Sequence, residues 1–512
     1  MWGNLADFFD ARLRTKQPRK AHIQDNYDPF LQKIRETLWL RTHDAFFRVA
    51  SESVQVGNLV SFSYDADGRM VAAGPKKGSL PQILAPTVAQ KGRTPEMLRR
   101  HALLAALAAL GGAPACSQRR LAPGEVALWF SYGGKNREVL LDLVRRFNEG
   151  QRRYRVIPTY QGDYFEALAK VRTALAAGLA PALTHVVGEV LPYLADAGAL
   201  EPLDGYEGAH QLGFVRGIAQ EGSYHEGDRR PLWGIPFNRS TPIMYLNGTL
   251  LGQSKPPSTW EEMRALAKEL TVRSEGGTRW GYEVPISWWF WVAMVGQAGG
   301  TVVEPSGEAT LGGEAGEKAL RLWQRMVHED RSMRPPPGRD YNAWQVTNQD
   351  FLAGRAAFIW TSTAFLRYLE ENARFPVVAA PLPSETRAAV PTGGTFFVLM
   401  RQAPQAEKEA GWAFLRWMSE PEQAMEWATR TGYLPVTEEA VRRLAAAGFY
   451  EKHPNDRVAY DQLAAAQPWP WAPTLFRVQR QVVEPRLEAA VLRNQDAARV
   501  LAEARAEARE EP

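Results

Sequence analysis

From Glu125 to Val187 the chain alternates short apolar runs with amphipathic ones, and this alternation constrains the fold more than any other feature. Glu125 to Phe130 reads as a strand, and Glu138 to Glu149 as a helix with Val139, Leu140, Leu143, Val144 and Phe147 along one face. A second strand (Tyr154 to Pro158), a second helix (Phe165 to Ala177) and a third buried strand (Leu183 to Val187) follow. The β-α-β-α-β order predicts a parallel, doubly wound α/β sheet. Such sheets bind ligands at the carboxyl ends of their strands, here the loops Ser131 to Lys135, Tyr160 to Tyr164, and Gly188-Glu189.

The pattern changes at Gly234-Ile235-Pro236-Phe237-Asn238-Arg239-Ser240-Thr241-Pro242, an extended run ahead of a strand from Ile243 to Asn247. Thr259 then caps a helix, with Glu262 three residues on completing a capping box, and a second α/β unit begins.

Ahead of all this, Met97-Leu98-Arg99-Arg100-His101 is a basic head and Ala102 to Leu110 an apolar run. Gly111-Gly112-Ala113-Pro114-Ala115-Cys116 has the small residues of a cleavage site. The run is shorter than the roughly 20 residues a membrane span requires, so residues 97–116 are expected to be an export leader that is removed. Cys116 is the only cysteine, which excludes an intrachain disulfide and a cysteine metal cluster. Its position suits lipidation as the first mature residue, while Ala113-x-Ala115 suits ordinary cleavage to a soluble periplasmic form; both remain open.

Residues 1–96 carry an amphipathic stretch from Phe30 to Leu40 and a strand-like alternation from Val54 to Tyr64, closed by Asp65-Ala66-Asp67-Gly68. A calcium loop starting there would need a Glu at residue 76, which is Lys76, so a hairpin turn is the expectation. Translation is expected to start at Met97, with residues 1–96 an upstream extension. The alternative is a small cytoplasmic domain ahead of a signal anchor.

The mature segment is long enough for two ordinary domains. The net charge of +4 is spread along the chain without a Lys/Arg block, so nucleic acid is not an expected partner. The eight His form no pair at helical spacing, so no zinc site is drawn and no cofactor is expected.

Several landmarks then fall in a familiar order: Thr259-Trp260, Phe351-Leu352-Ala353-Gly354-Arg355, Gly393-Gly394, and Phe414-Leu415-Arg416-Trp417-Met418-Ser419 before Pro421-Glu422. On these, residues 125 to about 505 resemble a family-1 extracellular solute-binding protein, the ligand-capturing component of a bacterial ABC importer. Ile157 to Tyr164, Pro236 to Pro242, Thr431 to Thr437 and Gly448 to Lys452 carry a narrower likeness, to the branch that binds glycerol 3-phosphate. The resemblance implies a type II periplasmic-binding fold, two lobes each built on a mainly parallel sheet, with the ligand in the cleft between them. It implies lobe 1 from residues 124–238 plus 394–433, and lobe 2 from 239–393 plus 434–512. Chain crossings fall near Asn238 to Thr241, Gly393-Gly394 and Tyr433 to Thr437. A monomer handing its solute to membrane permease subunits is expected.

Carried over, the ligand contacts fall on Tyr164, Glu189, Ser240, Trp288, Trp291, Ser362, Gly394 and Tyr433. Aromatic faces would cover the C–H side of a polyol while hydroxyls and backbone N–H groups meet its oxygens. Four aromatics lie within Ser287-Trp288-Trp289-Phe290-Trp291 and cannot share one inward helix face, so at least one is expected on the ligand surface. Two positions depart from the pattern. The branch's acidic residue falls at Gly188, one place before Glu189, and its phosphate-facing Arg falls near Tyr460 or Asp461. An enclosed phosphate needs a fixed cation, so Arg239, Arg457 or Arg477 would have to substitute, or the ligand is a neutral sugar or polyol, or a glycerophosphodiester.

Neither a nucleophile elbow nor a phosphate loop nor a dinucleotide motif occurs in the sequence, and the chain is read as a binding protein rather than an enzyme. A glycosidase and a sensor-coupled binding protein are the lesser alternatives.

Overall fold

The computed structural model describes residues 121–222, 231–304, 306–337 and 340–509, and the backbone of four strands earlier in the chain. Those four, Thr42–His43, Val49–Val56, Asn58–Tyr64 and Met70–Pro75, form an antiparallel sheet in chain order. The single alternation read from Val54 to Tyr64 is thus two strands, with Val56 paired to Asn58. Tyr64 pairs with Met70, so the Asp-Gly segment joins two antiparallel strands. The Phe30 to Leu40 stretch, the 97–116 leader and Cys116 lie outside the described residues.

The larger unit is built on two sheets. The first runs in the order Arg155–Tyr160, Glu125–Phe130, Leu183–Val187, Gly393–Leu399, Ile235–Ser240. Its first three strands are parallel, as their α-helical connections require. The helix Gly134–Gly150 buries the five apolar residues read from the sequence, and Tyr164–Ala176 is capped by Asp163 in a box with Glu166. Gly393–Leu399 runs antiparallel to both its neighbours, Leu183–Val187 and Ile235–Ser240, so Ile235–Ser240 points the same way as the first three.

The second sheet is also mixed, in the order Val272–Ser274, Gly277–Glu283, Ala356–Ser362, Pro242–Asn247, Val377–Ala380. Only Gly277–Glu283 makes parallel pairs, with Ala356–Ser362 and with the short strand Met333–Arg334. Thr259 caps the helix Trp260–Leu270 in the expected box with Glu262.

Three segments join the sheets close together. Ile235–Ser240 passes through Thr241 straight into Pro242–Asn247. Val390–Pro391 leads through Thr392 into Gly393–Leu399. The third segment follows Gly432, where the Leu434 N–H donates to the Arg239 carbonyl at 2.8 Å.

Candidate functional site

A cleft of about 340 Å³ opens between the two sheets. From the first sheet it takes the loops at the strand carboxyl ends: Ser131 to Gly133 after one strand, Tyr160 with Asp163 and Tyr164 after the next, and Glu189 after the third. This is where the strand order placed a ligand site.

Its floor is a polar knot. The Asn238 amide donates from Nδ2 to the hydroxyls of Tyr164 (2.9 Å) and Tyr433 (3.2 Å), which stand 3.3 Å apart. Asn238 Oδ1 accepts from the Thr395 N–H at 2.8 Å, and Thr395 Oγ1 meets the Tyr132 hydroxyl at 3.1 Å. Burial raises the Tyr132 and Tyr164 hydroxyls well above the ordinary phenol value, so both are neutral hydrogen-bonding groups. Behind them His185 stacks on Tyr132 and accepts the Ser131 N–H at Nε2 (2.9 Å). Burial lowers its pKa to about 3, so the ring is neutral.

Glu189 is buried at the cleft wall. Desolvation pushes its carboxyl up to about 7, helped by Glu221 and Glu484 and opposed by its own backbone N–H and by Arg239. Gly394 adopts φ +94°, and a Cβ there would stand 1.7 Å from the Asn238 carbonyl oxygen, so only glycine fits. Ser240, Ser362 and Tyr433 complete the set of expected residues that line the cleft together with Tyr164, Glu189 and Gly394.

The expected tryptophan pair does not line it. Trp288 and Trp291 are fully buried in the core of the second sheet, Trp291 donating to the Gly316 carbonyl (3.2 Å) and Trp288 stacking on Trp469. Spacing by three put them on one face of the helix Trp288–Gln297, but that face is the inward one. The cleft aromatic is Trp289, which tilts against Trp344 (5.5 Å), with Phe365 beyond.

The proposed substitute arginines are also elsewhere. Arg239 is fully buried and paired with Glu221, Arg457 pairs with Asp461 on an exposed helix face, and Arg477 donates to the Ala508 carbonyl (2.8 Å). The guanidinium at the cleft belongs to Arg480, which pairs with Glu484 and lies over the Phe165 ring at 4.0 Å. Gln479, Glu484 and Glu488 line the cleft beside it. Residues 478–483 form a π-helical stretch, whose wider turn shifts the phase of the helix.

Residues 142–456 match the family model described as bacterial extracellular solute-binding protein. The chain belongs to this family. Members are binding proteins, not enzymes. It is 26% identical over 399 residues to the sn-glycerol-3-phosphate-binding periplasmic protein UgpB of Yersinia pseudotuberculosis, covering 73% of this chain and 89% of that one. Among solved structures it is similar to UgpB from Mycobacterium tuberculosis in complex with glycerophosphocholine, with TM-score 0.67, 23% identity and coverage of 76% and 98%. It is similar also to the Thermus thermophilus maltotriose-binding protein bound with maltotriose, with TM-score 0.62, 21% identity and coverage of 75% and 98%. These likenesses show a type II periplasmic-binding fold.

Proposed function

We propose that the cleft captures a glycerophosphodiester and that closure of the two halves delivers it to the permease of an ABC importer. The observation that carries this is the charge of the lining. Among the described residues of the cleft, Arg480 is the only basic side chain, against Asp163, Glu189, Glu484 and Glu488. A phosphate monoester brings close to two negative charges, and one guanidinium already shared with Glu484 does not compensate them. A diester brings one. If it bears a quaternary ammonium group, that end finds the Trp289, Trp344 and Phe365 faces together with acidic side chains. Glycerol hydroxyls find acceptors in Glu189, Ser240 and the tyrosine knot. Contacts from both halves are required, since a ligand shifts the open and closed populations only through what it touches in each.

A neutral oligosaccharide is the second reading, favoured by the tilted Trp289–Trp344 wall, which suits a pyranose face. The two readings part at Arg480. Arg480→Gln is expected to weaken glycerophosphocholine at least about tenfold, the scale of one charge-assisted hydrogen bond, and to leave maltotriose unchanged. An unchanged affinity for glycerophosphocholine would remove the diester reading. The leader at 97–116 is proposed to bring the binding unit outside the cytoplasmic membrane, either held there through Cys116 or released.

A further inference from the structure

The three segments that join the sheets meet at one buried side chain. Arg239 pairs across the first sheet with Gly394, its carbonyl accepts from Leu434 N–H, and it lies three residues before the second sheet begins at Pro242. Its guanidinium sits over the Phe396 ring at 4.5 Å, pairs with Glu221, and donates from Nη2 to Thr392 Oγ1 at 2.6 Å. Nε and Nη1 have no hydrogen-bond partner among the described residues, so Glu221 is what compensates this charge.

Thr392 carries the connection outward. Its hydroxyl donates to Glu221, which also accepts the Trp469 N–H at 3.3 Å. Its carbonyl accepts two indole N–H groups, from Trp289 at 3.1 Å and from Trp469 at 3.0 Å. Trp289 faces the cleft, whereas Trp469 lines a separate cavity of about 880 Å³ together with Trp233, Trp288 and Trp471. The next residue, Gly393, packs so tightly on the Trp289 ring that an added Cβ would stand 2.6 Å from it.

From this connectivity we infer that Glu221 and Thr392 are positioning residues for ligand capture: through Arg239 they hold the crossing segments and set the Trp289 indole on the cleft wall without touching ligand. The inference rests on the cleft being the capture site. The residue whose hydroxyl bonds Glu221 and Arg239 is the same one whose carbonyl is shared by the cleft tryptophan and the tryptophan behind it, which ties the buried pair to the cleft wall.

The test reads the indole N–H signals of ¹⁵N-tryptophan-labelled protein, ligand-free, assigned by Trp289→Phe, Trp469→Phe and Trp291→Phe. Thr392→Val keeps the side-chain shape and removes the hydroxyl. It is expected to shift the Trp289 and Trp469 signals together and to leave that of Trp291, bonded to Gly316, in place. Because Glu221→Gln strands a buried cation, the paired replacement Glu221→Leu with Arg239→Met is the second variant, and the same two signals are expected to move. Unmoved Trp289 and Trp469 signals, or an equal shift at Trp291, would overturn the inference. A titration with glycerophosphocholine adds a separate arm, in which Thr392→Val is expected to weaken binding on the order of tenfold. If the wild-type protein does not bind that probe, the diester reading falls while the ligand-free indole signals still decide the role of Thr392 and Glu221. Equal affinities in wild type and Thr392→Val would overturn it as well.

Discussion

The hydroxyls of Tyr164 and Tyr433 stand 3.3 Å apart at the cleft floor, both within reach of one Asn238 amide. Tyr164 opens a helix of the first sheet's half and Tyr433 sits on a crossing segment, so the pair registers the approach of the two chain regions. Tyr164→Phe and Tyr433→Phe are each expected to weaken ligand about five- to tenfold, the scale of one lost hydrogen bond. Together they are expected to be less than additive, because they share Asn238. Calorimetric titration of the two single variants and the double variant checks this.

Two tryptophans on one helix are expected to separate by role. Trp289→Ala should weaken binding more than about tenfold, as truncating a contact aromatic does, with a small loss of stability. Trp291→Ala should cost about 3–5 kcal/mol of stability through the cavity it leaves. Thermal unfolding and titration of both variants read the contrast, which a shared role in binding would abolish.

Two buried carboxyls predict how stability depends on pH. Burial raises Glu189 to about 7 and Glu283 to about 8, both from an ordinary value of 4.5. Between those values the folded chain retains protons that the unfolded chain has lost. Their contribution is therefore complete below about pH 4.5 and is lost as pH rises through 7 for Glu189 and 8 for Glu283. Glu189→Gln should flatten the decline between pH 5 and 7, and Glu283→Gln the part that extends to 8. Melting temperatures across this range, in wild type and both variants, measure the two slopes.

The glycine pair is expected to divide sharply. Gly394→Ala meets both a positive φ and the Asn238 carbonyl, and should cost about 2–5 kcal/mol, combining backbone strain with overpacking. Gly393→Ala meets only the Trp289 ring, so it should lower affinity more than stability. Denaturant unfolding and titration of each variant distinguish them.

Much of this was legible in the chain. The apolar faces of Glu125 to Val187 fix strands and helices locally, and the carboxyl-end loops follow from their order. Tyr164, Glu189, Ser240, Ser362, Gly394 and Tyr433 reach one cleft because they lie on those loops and on the crossings. Trp289 was hidden because spacing says which aromatics share a helix face, while the neighbouring core decides which face turns inward. Arg480 was hidden because no motif in the sequence marks residues 478–483 as part of the site, and only the fold brings this segment to the cleft. Arg239 looked like a free cation beside the cleft, and only the fold brings Glu221 to it.

The central claim is that one guanidinium amid carboxylates suits a phosphodiester and not a dianionic monoester. Side-by-side calorimetric titration of residues 117–512 with glycerophosphocholine and sn-glycerol 3-phosphate tests it most directly. Glycerophosphocholine is expected to bind at least about tenfold tighter, the scale of one poorly compensated charge. Tighter binding of sn-glycerol 3-phosphate, or binding of neither, would contradict the account.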